Sequence, residues 1–302
     1  DDTNFIKDKN DKIIYVENSL KALQELASFH RDNLNAHVIG ITGTNGKTTT
    51  KELVKEVLSQ KYNVIATKGN FNNHIGLPLS ILSANKNCEI LILEMGANHV
   101  DEIAELCKLA KPDYGIITNI GKAHLEGFGT FDNIIKTKKA LYDFVGNRKG
   151  TLFVNAENNL LMELSQYYIR FTYGNKSNTN CKVQDISKSV FPEIKWEYLH
   201  KSGNAKTNLI GNHNIENIAA AICIGCFFDV PSLSIENALK NYKPDNNRSQ
   251  YFQTNYNKLI LDAYNANPSS MKLAIKNFAE SDFKNKALIL GDMLELGTFN
   301  IE

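Results

Sequence analysis

The sequence predicts an α/β protein: a mostly parallel central sheet carrying a phosphate-binding loop, helices on both of its faces, and the start of a second α/β unit behind it. Three observations predict this. Short apolar runs alternate with helical periodicity from residue 38 onward. One of those runs feeds a glycine-containing loop that opens a helix, Val38 to Leu53, VIGITGTNGKTTTKEL. Near Pro244 the pattern breaks and then restarts.

Taken in order, residues 1 to 17 are polar and then strand-like at Ile13-Ile14-Tyr15-Val16. Asn18 or Ser19 caps a helix with Leu20, Leu23, Leu26 and Ala27 on its apolar side, and His30-Arg31 end it. One strand and one helix make no core, so this opening reads as the tail of an earlier unit. Val38, Ile39 and Ile41 form a buried strand. The helix after the glycine loop turns Leu53, Val54, Val57 and Leu58 to one face. Asn63–Ala66 is a strand, followed by a polar loop holding Asn70, Asn72 and Asn73. Cys88 to Leu93 is an apolar run ending in Glu94. A helix over His99–Ala110 stops at Pro112, and a strand over Tyr114–Thr118 runs into Asn119-Ile120-Gly121-Lys122-Ala123-His124. A helix spans Phe131–Val145 and a strand Thr151–Val154. The alternating stretch from Tyr168 to Lys206 predicts short antiparallel strands around Trp196. Gly211-Asn212-His213-Asn214 opens an Ala-rich helix. After Arg248 come a strand at Lys258–Leu261, a helix at Ser270–Phe278 and a strand at Ala287–Leu290.

The expected units are therefore 1–34, a tail and linker; 35–244, a central nucleotide-binding domain; and 245–302, the beginning of another domain. At 302 residues the chain has room for about two domains. Lys plus Arg number 34 against 33 Asp plus Glu, so no global field draws nucleic acid or a membrane surface. The longest apolar run, Ile218 to Phe228, is too short to span a bilayer, and an opening of Asp-Asp-Thr-Asn is not that of a secretory leader. No nucleic-acid partner and no membrane insertion are expected. Five scattered cysteines fit reduced thiols in a cytoplasm. Cys223 and Cys226, a C-x-x-C pair in an apolar helical stretch, read as small core residues rather than a redox or zinc site.

The chemistry concentrates in Thr42-Gly43-Thr44-Asn45-Gly46-Lys47-Thr48-Thr49. Glycines let backbone N–H groups approach an anion, the helix N-terminus adds its dipole, Lys47 reaches outer phosphates and a hydroxyl ligates Mg²⁺. The general pattern wants glycine at position 41, where this chain has Ile41, so the loop is a variant with Gly43 inside it. In a parallel sheet, ligands gather at the carboxyl ends of the strands. Glu94 ends one strand and His124 follows another. Position alone leaves Glu94 open between a metal ligand and a solvated acid, and His124 between a ligand and a structural imidazole. The cluster Lys136, Lys138 and Lys139 reads as a solvated face.

Seven segments in this order, GTNGKTTTKE (43–52), TKGNFNNHIGLPL (67–79), LEMGANHVDEI (93–103), TNIGKAHLEGFGT (118–130), GNHNIENIAAA (211–221), DAYNANPSSM (262–271) and LGDMLELG (290–297), resemble the Mur ligase family of peptidoglycan synthesis. Within it, KGNFNNHIGLP and DAYNANPSSM resemble the D-alanyl-D-alanine-adding branch; the loop itself marks only the superfamily, in which Ile41 is the usual form. The resemblance covers nearly the whole chain. It implies a bacterial cytoplasmic enzyme that uses ATP and Mg²⁺ to phosphorylate the terminal carboxylate of a UDP-N-acetylmuramoyl-tripeptide. The acyl phosphate is then attacked by the amine of D-alanyl-D-alanine. Such an enzyme is expected to act as a monomer.

Carried over by residue, the resemblance implies that Gly43, Thr44, Asn45, Gly46, Lys47, Thr48 and Thr49 hold the phosphates. Thr48, Glu94 and His124 would serve metal, with Lys138 joining them as a carbamate. The family pattern there is close to Ala-Lys-Gly-Glu and this chain reads Thr137-Lys138-Lys139-Ala140, so Lys139 is a rival. Lys47, Glu94, His124 and Lys138 form the implied catalytic set. His213, Asn214 and Asn217 match the adenine side. Arg248 and Asp262 match residues reaching phosphate and ribose, Asn265 and Asn267 lie toward the dipeptide, and Asn70, Asn72 and Asn73 toward the acceptor. The family's third domain has a dinucleotide-type fold, of which residues 245–302 supply an opening β-α-β. As it stands the chain is expected to bind ATP weakly at most and to lack ligase activity. Two rival readings differ in class: another amide ligase of the superfamily, such as a folylpolyglutamate synthase, and a non-catalytic nucleotide-binding subunit. Amine-acceptor assays separate the first, and a Lys47→Ala variant that keeps cell-wall function would favour the second. A plain P-loop kinase or GTPase leaves the Asn-rich loop and 262–268 unexplained.

Overall fold

A computed structural model describes residues 14–121, 125–245 and 247–293. Its first half is a run of alternating helices and strands: α1 (Ser19–Asp32), β1 (His37–Thr42), α2 (Lys47–Leu58), β2 (Val64–Ala66), α3 (Gly76–Leu82), β3 (Ile90–Glu94), α4 (Glu102–Ala110), β4 (Tyr114–Ile117), α5 (Leu125–Phe128), α6 (Phe131–Asn147) and β5 (Thr151–Asn155). Then come α7 (Asn159–Leu164), β6 (Arg170–Gly174), β7 (Cys181–Asp185), β8 (Glu193–Tyr198), β9 (Lys201–Lys206), α8 (Ile215–Phe227) and α9 (Ser232–Asn241). A short pair, β10 (Gln250–Gln253) and β11 (Lys258–Leu261), precedes α10 (Pro268–Glu280).

Among the described residues, β1 to β9 form one sheet in the order β2-β3-β1-β4-β5-β6-β7-β8-β9. The strands from β2 across to β7 are parallel, so the chain must cross over between them and the helices land on both faces. Alternate residues of each strand therefore enter different cores. Ile39, Ile41, Ile90, Ile92, Ile116 and Phe153 pack under α2 and α8. Val38, Leu91, Leu93, Ile117, Leu152 and Val154 pack under α1, α3, α4 and α6. The expected apolar face of α2 is fully buried at Leu53, Val54, Val57 and Leu58.

Several elements depart from expectation. The stretch 168–206 is not all antiparallel: β6 runs parallel to β5 and β7 parallel to β6, and only β8 and β9 reverse. Alternating polarity reports one buried face and says nothing of direction. Ile14, Tyr15 and Val16 form no strand and are exposed, and Ile13 lies outside the described residues. Residues 287–290 form no strand either, with Ile289 fully exposed, so the last segment is a β10–β11 hairpin and α10 rather than β-α-β. In both places the strand-forming residues pair with no strand among the described residues. Leu26 of α1 faces outward at 56 % exposure, while Ala27 joins the core that holds Val38 and Leu93. Helix α4 begins three residues later than expected, because the Glu102 carboxylate accepts the N–H groups of Asn98 and His99 at 2.6 and 3.0 Å.

Arg31 locks α1 to the corner between α4 and β4. Its guanidinium donates to the carbonyls of Ala110, Leu34 and Lys111 and pairs with Asp113 at 3.2 Å. Asp113 in turn accepts Val38 N–H at 2.8 Å, at the root of the strand that enters the glycine loop. Arg31→Met should lower stability by about 2–3 kcal/mol, because three carbonyls and a carboxylate lose a charged donor. The urea midpoint measures it, and an unchanged midpoint would contradict this account.

Candidate active site

The glycine loop sits at the carboxyl edge of the sheet, between β1 and α2. Ile41, where the general pattern has glycine, is fully buried inside β1, so the turn starts two residues later. Gly43 has φ +150°, and a Cβ there would lie 1.9 Å from Thr118 Oγ1. Gly46 is left-handed at φ +80° and caps α2, and a Cβ would stand 2.4 Å from Asn217 Oδ1. No side chain caps α2 at Gly46, so the first turn offers its N–H groups to an anion. Thr48 and Thr49 lie in that turn and are nearly buried.

The loop is braced from the end of β4. Asn119 accepts Thr44 N–H on its carbonyl at 2.9 Å and Asn45 N–H on Oδ1 at 3.0 Å, and its Nδ2 donates to Asn45 O at 3.0 Å. Thr118 Oγ1 donates to Asn45 O at 2.6 Å, and Gly121 N–H donates to Thr44 Oγ1 at 2.9 Å. The brace fixes a loop that its glycines would otherwise leave mobile.

Charge converges around Gly43. Lys47 Nζ donates to Gly43 O at 2.8 Å and to Thr44 O at 3.0 Å, and Lys138 Nζ reaches the same Gly43 oxygen at 3.1 Å. Lys138 is therefore not part of a solvated face; it is 5 % exposed and points inward from α6. Burial, and then the neighbouring Lys47 charge, pull its pKa from the ordinary 10.5 down to about 7. Lys47 is also lowered, chiefly by burial, with Glu94 opposing and Arg248 adding to the shift. Lys139 is turned elsewhere, in an ion pair with Asp143, which also accepts the Tyr168 hydroxyl.

Glu94 ends β3 and is 1 % exposed. It is not a solvated acid. Its Oε1 accepts from Asn72 Nδ2 at 2.8 Å, while the buried Oε2 has no hydrogen-bond partner. Of the other loop asparagines, Asn73 Oδ1 accepts the N–H groups of Ile75 and Gly76 where α3 begins, and Asn70 is exposed. Among the described residues no group of three or more His, Cys, Asp and Glu gathers as a metal cage, and His124 lies outside those residues.

The 211–217 and 248–277 segments meet on the other side of the loop. Asn217 Nδ2 donates to Asn214 Oδ1 at 3.0 Å and its Oδ1 accepts from Thr50 Oγ1 at 3.1 Å, tying the start of α8 to α2. His213 Nδ1 faces Asn277 Nδ2 at 2.9 Å and Nε2 faces Ser249 Oγ at 3.0 Å. Burial lowers its pKa against the pull of Asp262, so the ring is neutral and serves these partners. Asp262 Oδ1 accepts Ser249 N–H at 3.2 Å. Arg248 lies 3.8 Å above the Tyr264 ring, and its buried Nε has no hydrogen-bond partner. Asn267 caps α10 with Oδ1 and reaches the loop itself, donating to Asn45 Oδ1 at 2.9 Å. Asn265 is exposed. Cys223 and Cys226 are buried in α8, as expected of core residues.

Sequence reasoning brought the segment that starts at Asn119 to this edge but gave no role to Thr118, Asn119, Ser249, Asn277 or Tyr264. Thr118 and Asn119 carried a signal, since polar residues directly after a buried strand sit at the ligand edge. Ser249 and Asn277 carried none, because only tertiary packing, of the 249 segment and of α10, brings them to His213.

Comparison with known proteins agrees with this geometry. The family model described as Mur ligase middle domain matches residues 41–225. The UDP-N-acetylmuramoyl-tripeptide–D-alanyl-D-alanine ligase of Bacillus subtilis is 38 % identical over 297 residues, covering 96 % of this chain and 63 % of the relative. The chain thus spans a little under two thirds of that relative's length. The crystal structure of MurF from Acinetobacter baumannii superposes with a TM-score of 0.86 at 28 % identity, over 95 % of this chain and 64 % of that one. MurF ligase from Thermotoga maritima, solved in complex with ADP, gives 0.78 at 30 % identity, over 90 % of this chain and 64 % of that one. With the buried Ile41, the Gly43–Gly46 loop and the parallel sheet that presents it, this chain belongs to the Mur ligase family.

Proposed function

We propose that this chain is the ATP-binding, carboxylate-activating part of a ligase that adds D-alanyl-D-alanine to a UDP-N-acetylmuramoyl-tripeptide through an acyl phosphate. The product serves peptidoglycan synthesis, and with it cell shape and division. The observation that carries this is the cluster at Gly43. Lys47 and Lys138 share its carbonyl oxygen, the Arg248 charge acts on Lys47, and the buried Oε2 of Glu94 stands without a partner. A polyphosphate supplies negative charge to set against Lys47 and Arg248, in a site where little water competes. The family relationship and the relatives' names support the identity of acceptor and donor.

In this reading Lys47, the first-turn amides at Thr48 and Thr49, and the braced loop of Gly43, Thr44, Asn45 and Gly46 hold the phosphates. Arg248, kept flat by Tyr264, faces the same anion, and Asp262, through Ser249, fixes the segment that carries Arg248. His213, Asn214 and Asn217 form the wall of the nucleotide side. Thr48 and Glu94 supply hard oxygen donors that fit Mg²⁺, and the unpartnered Oε2 is the observation in favour. When bound, the metal would neutralise charge on phosphate oxygens. His124 is assigned with them by resemblance alone. The acceptor carboxylate approaches past Asn70–Asn73, and the amine from Asn265 and Asn267, whose contact with Asn45 sets the dipeptide side against the phosphate loop. Units 35–244 and 245–302 then divide activation from amine delivery, with 1–34 linking to the acceptor side. A bacterial cytoplasm suits this chemistry because ATP and nucleotide-activated sugars are made there. No described helix is long and apolar enough to cross a membrane.

The test is ADP release by the full-length protein with ATP, the UDP-linked tripeptide and D-alanyl-D-alanine. Release should require both the tripeptide and the dipeptide. Equal release with glutamate as the amine would favour the folate-type alternative, and release without either partner would sink the ligase reading.

Lys138 carries a further expectation. Only the neutral amine attacks carbon dioxide, forming the N–C bond and releasing a proton, and a pKa of about 7 leaves Lys138 largely neutral at mildly alkaline pH. Carbamylation should therefore rise through pH 7, with ¹³CO₂ labelling giving a carbamate signal lost in Lys138→Ala and kept in Lys139→Ala. The stability sign follows. The folded pKa lies below the unfolded one, so unfolding takes up a proton between about 7 and 10.5. Stability contributed by this group rises with pH across that window, and the penalty is complete below it. A label that tracks Lys139 would overturn the assignment.

A further inference from the structure

We propose that Lys51 is a positioning residue for Glu94. Lys51 lies one turn beyond Lys47 on α2 and its side chain is 0 % exposed. Its Nζ donates to Thr67 O at 2.6 Å and pairs with Glu52 Oε1 at 2.8 Å. Thr67 follows β2, donates its N–H to Ile92 O at 2.9 Å, and accepts Glu94 N–H on Oγ1 at 3.0 Å. The contacts thus run from α2 through Thr67 to the backbone of Glu94. The same anchor fixes the root of the loop whose Asn72 holds Glu94 Oε1. Glu94 is gripped at its main chain and at one carboxylate oxygen, and only Oε2 is left over.

A buried ammonium is costly, and a methionine could fill the same space on a helix whose neighbours Leu53, Val54, Val57 and Leu58 are all apolar. Local rules are broken in this way where a site must be held. Lys51 touches neither the glycine loop nor Glu94's carboxylate, so its effect passes through Thr67. Groups that orient a metal-binding carboxylate from behind tune affinity without binding the metal themselves. The inference rests on the reading of Glu94 as a Mg²⁺ ligand.

The test is the Mg²⁺ dependence of binding of a non-hydrolysable ATP analogue to the full-length protein, followed by calorimetry. Lys51→Met should raise the Mg²⁺ concentration at half-saturation about 10- to 100-fold. Affinity for the analogue in EDTA should stay as in wild type, because the loop and Lys47 are intact. Thr67→Val, which removes only the Oγ1 acceptor, should shift the midpoint in the same direction by less, and it decides the matter if Lys51→Met does not fold. An unchanged midpoint, or equal losses with and without Mg²⁺, would overturn the proposal and leave Lys51 a packing residue. Wild-type binding that ignores Mg²⁺ would overturn the metal reading of Glu94, and the proposal with it.

Discussion

Glu94→Gln should make the ligand-free protein more stable and the full-length enzyme much slower. The carboxylate is 1 % exposed, has one hydrogen bond, from Asn72, and leaves Oε2 unpartnered. A buried carboxylate with an unpartnered oxygen is costly to hold in the folded state, and the nearby Lys47 charge acts against that cost. Gln keeps the shape and the acceptor for Asn72 but removes the charge. The expected gain is about 1–2 kcal/mol, reduced by the new amide's own unmet donors. On the proposed function the same change removes the anionic oxygen that would serve Mg²⁺, and turnover should fall about 10²- to 10³-fold. Chemical denaturation and ADP release measure the two effects on one preparation. A variant that is less stable yet fully active would refute the assignment of Glu94, since that pattern belongs to a structural carboxylate.

Gly43→Ala should cost both stability and the shape of the glycine loop. At φ +150° an L-residue is strained whatever the space, and the added Cβ would meet Thr118 Oγ1 at 1.9 Å and Thr118 N at 3.1 Å. Either the loop or the end of β4 must move. Because Lys47 and Lys138 both hang on Gly43 O, a shift of the loop displaces both ammonium groups together. The expected cost is about 2–4 kcal/mol of stability, with nucleotide binding lost. The double variant Gly43→Ala/Thr118→Ala removes the hydroxyl clash but not the backbone one, and it also removes the Thr118 bond to Asn45 O. It should recover part of the stability and none of the binding. Full recovery of binding in the double variant would show that the loop tolerates the methyl group and that the clash with Thr118 is the whole effect.

The parallel sheet and its loop were legible because they rest on local rules. Continuous apolar runs mark strands buried on both faces, and Gly-Lys-Thr-Thr between strand and helix has no packing purpose. Strand direction in 168–206 was not legible, since pairing partners are a tertiary choice. The strand-like stretches 14–16 and 287–290 failed for the complementary reason: propensity gives no strand where the tertiary fold supplies no pairing. Lys136, Lys138 and Lys139 show the limit most sharply. Charge pattern reads them as a solvated run, the resemblance singles out Lys138 with Lys139 as rival, and in the fold they divide. Lys138 turns inward to Gly43 O, and Lys139 turns to Asp143.

By itself the sequence determined the α/β class, the position of the phosphate loop and the membership of the family, because each is written in contiguous motifs and short-range periodicity. Only the tertiary structure decided what holds Glu94, which lysine meets the loop, and that Asn45 touches Asn267 222 residues away. Those are contacts between strand ends and helices far apart in the chain. Burial and unmet hydrogen bonds, which give the contacts their chemistry, exist only once the elements have packed.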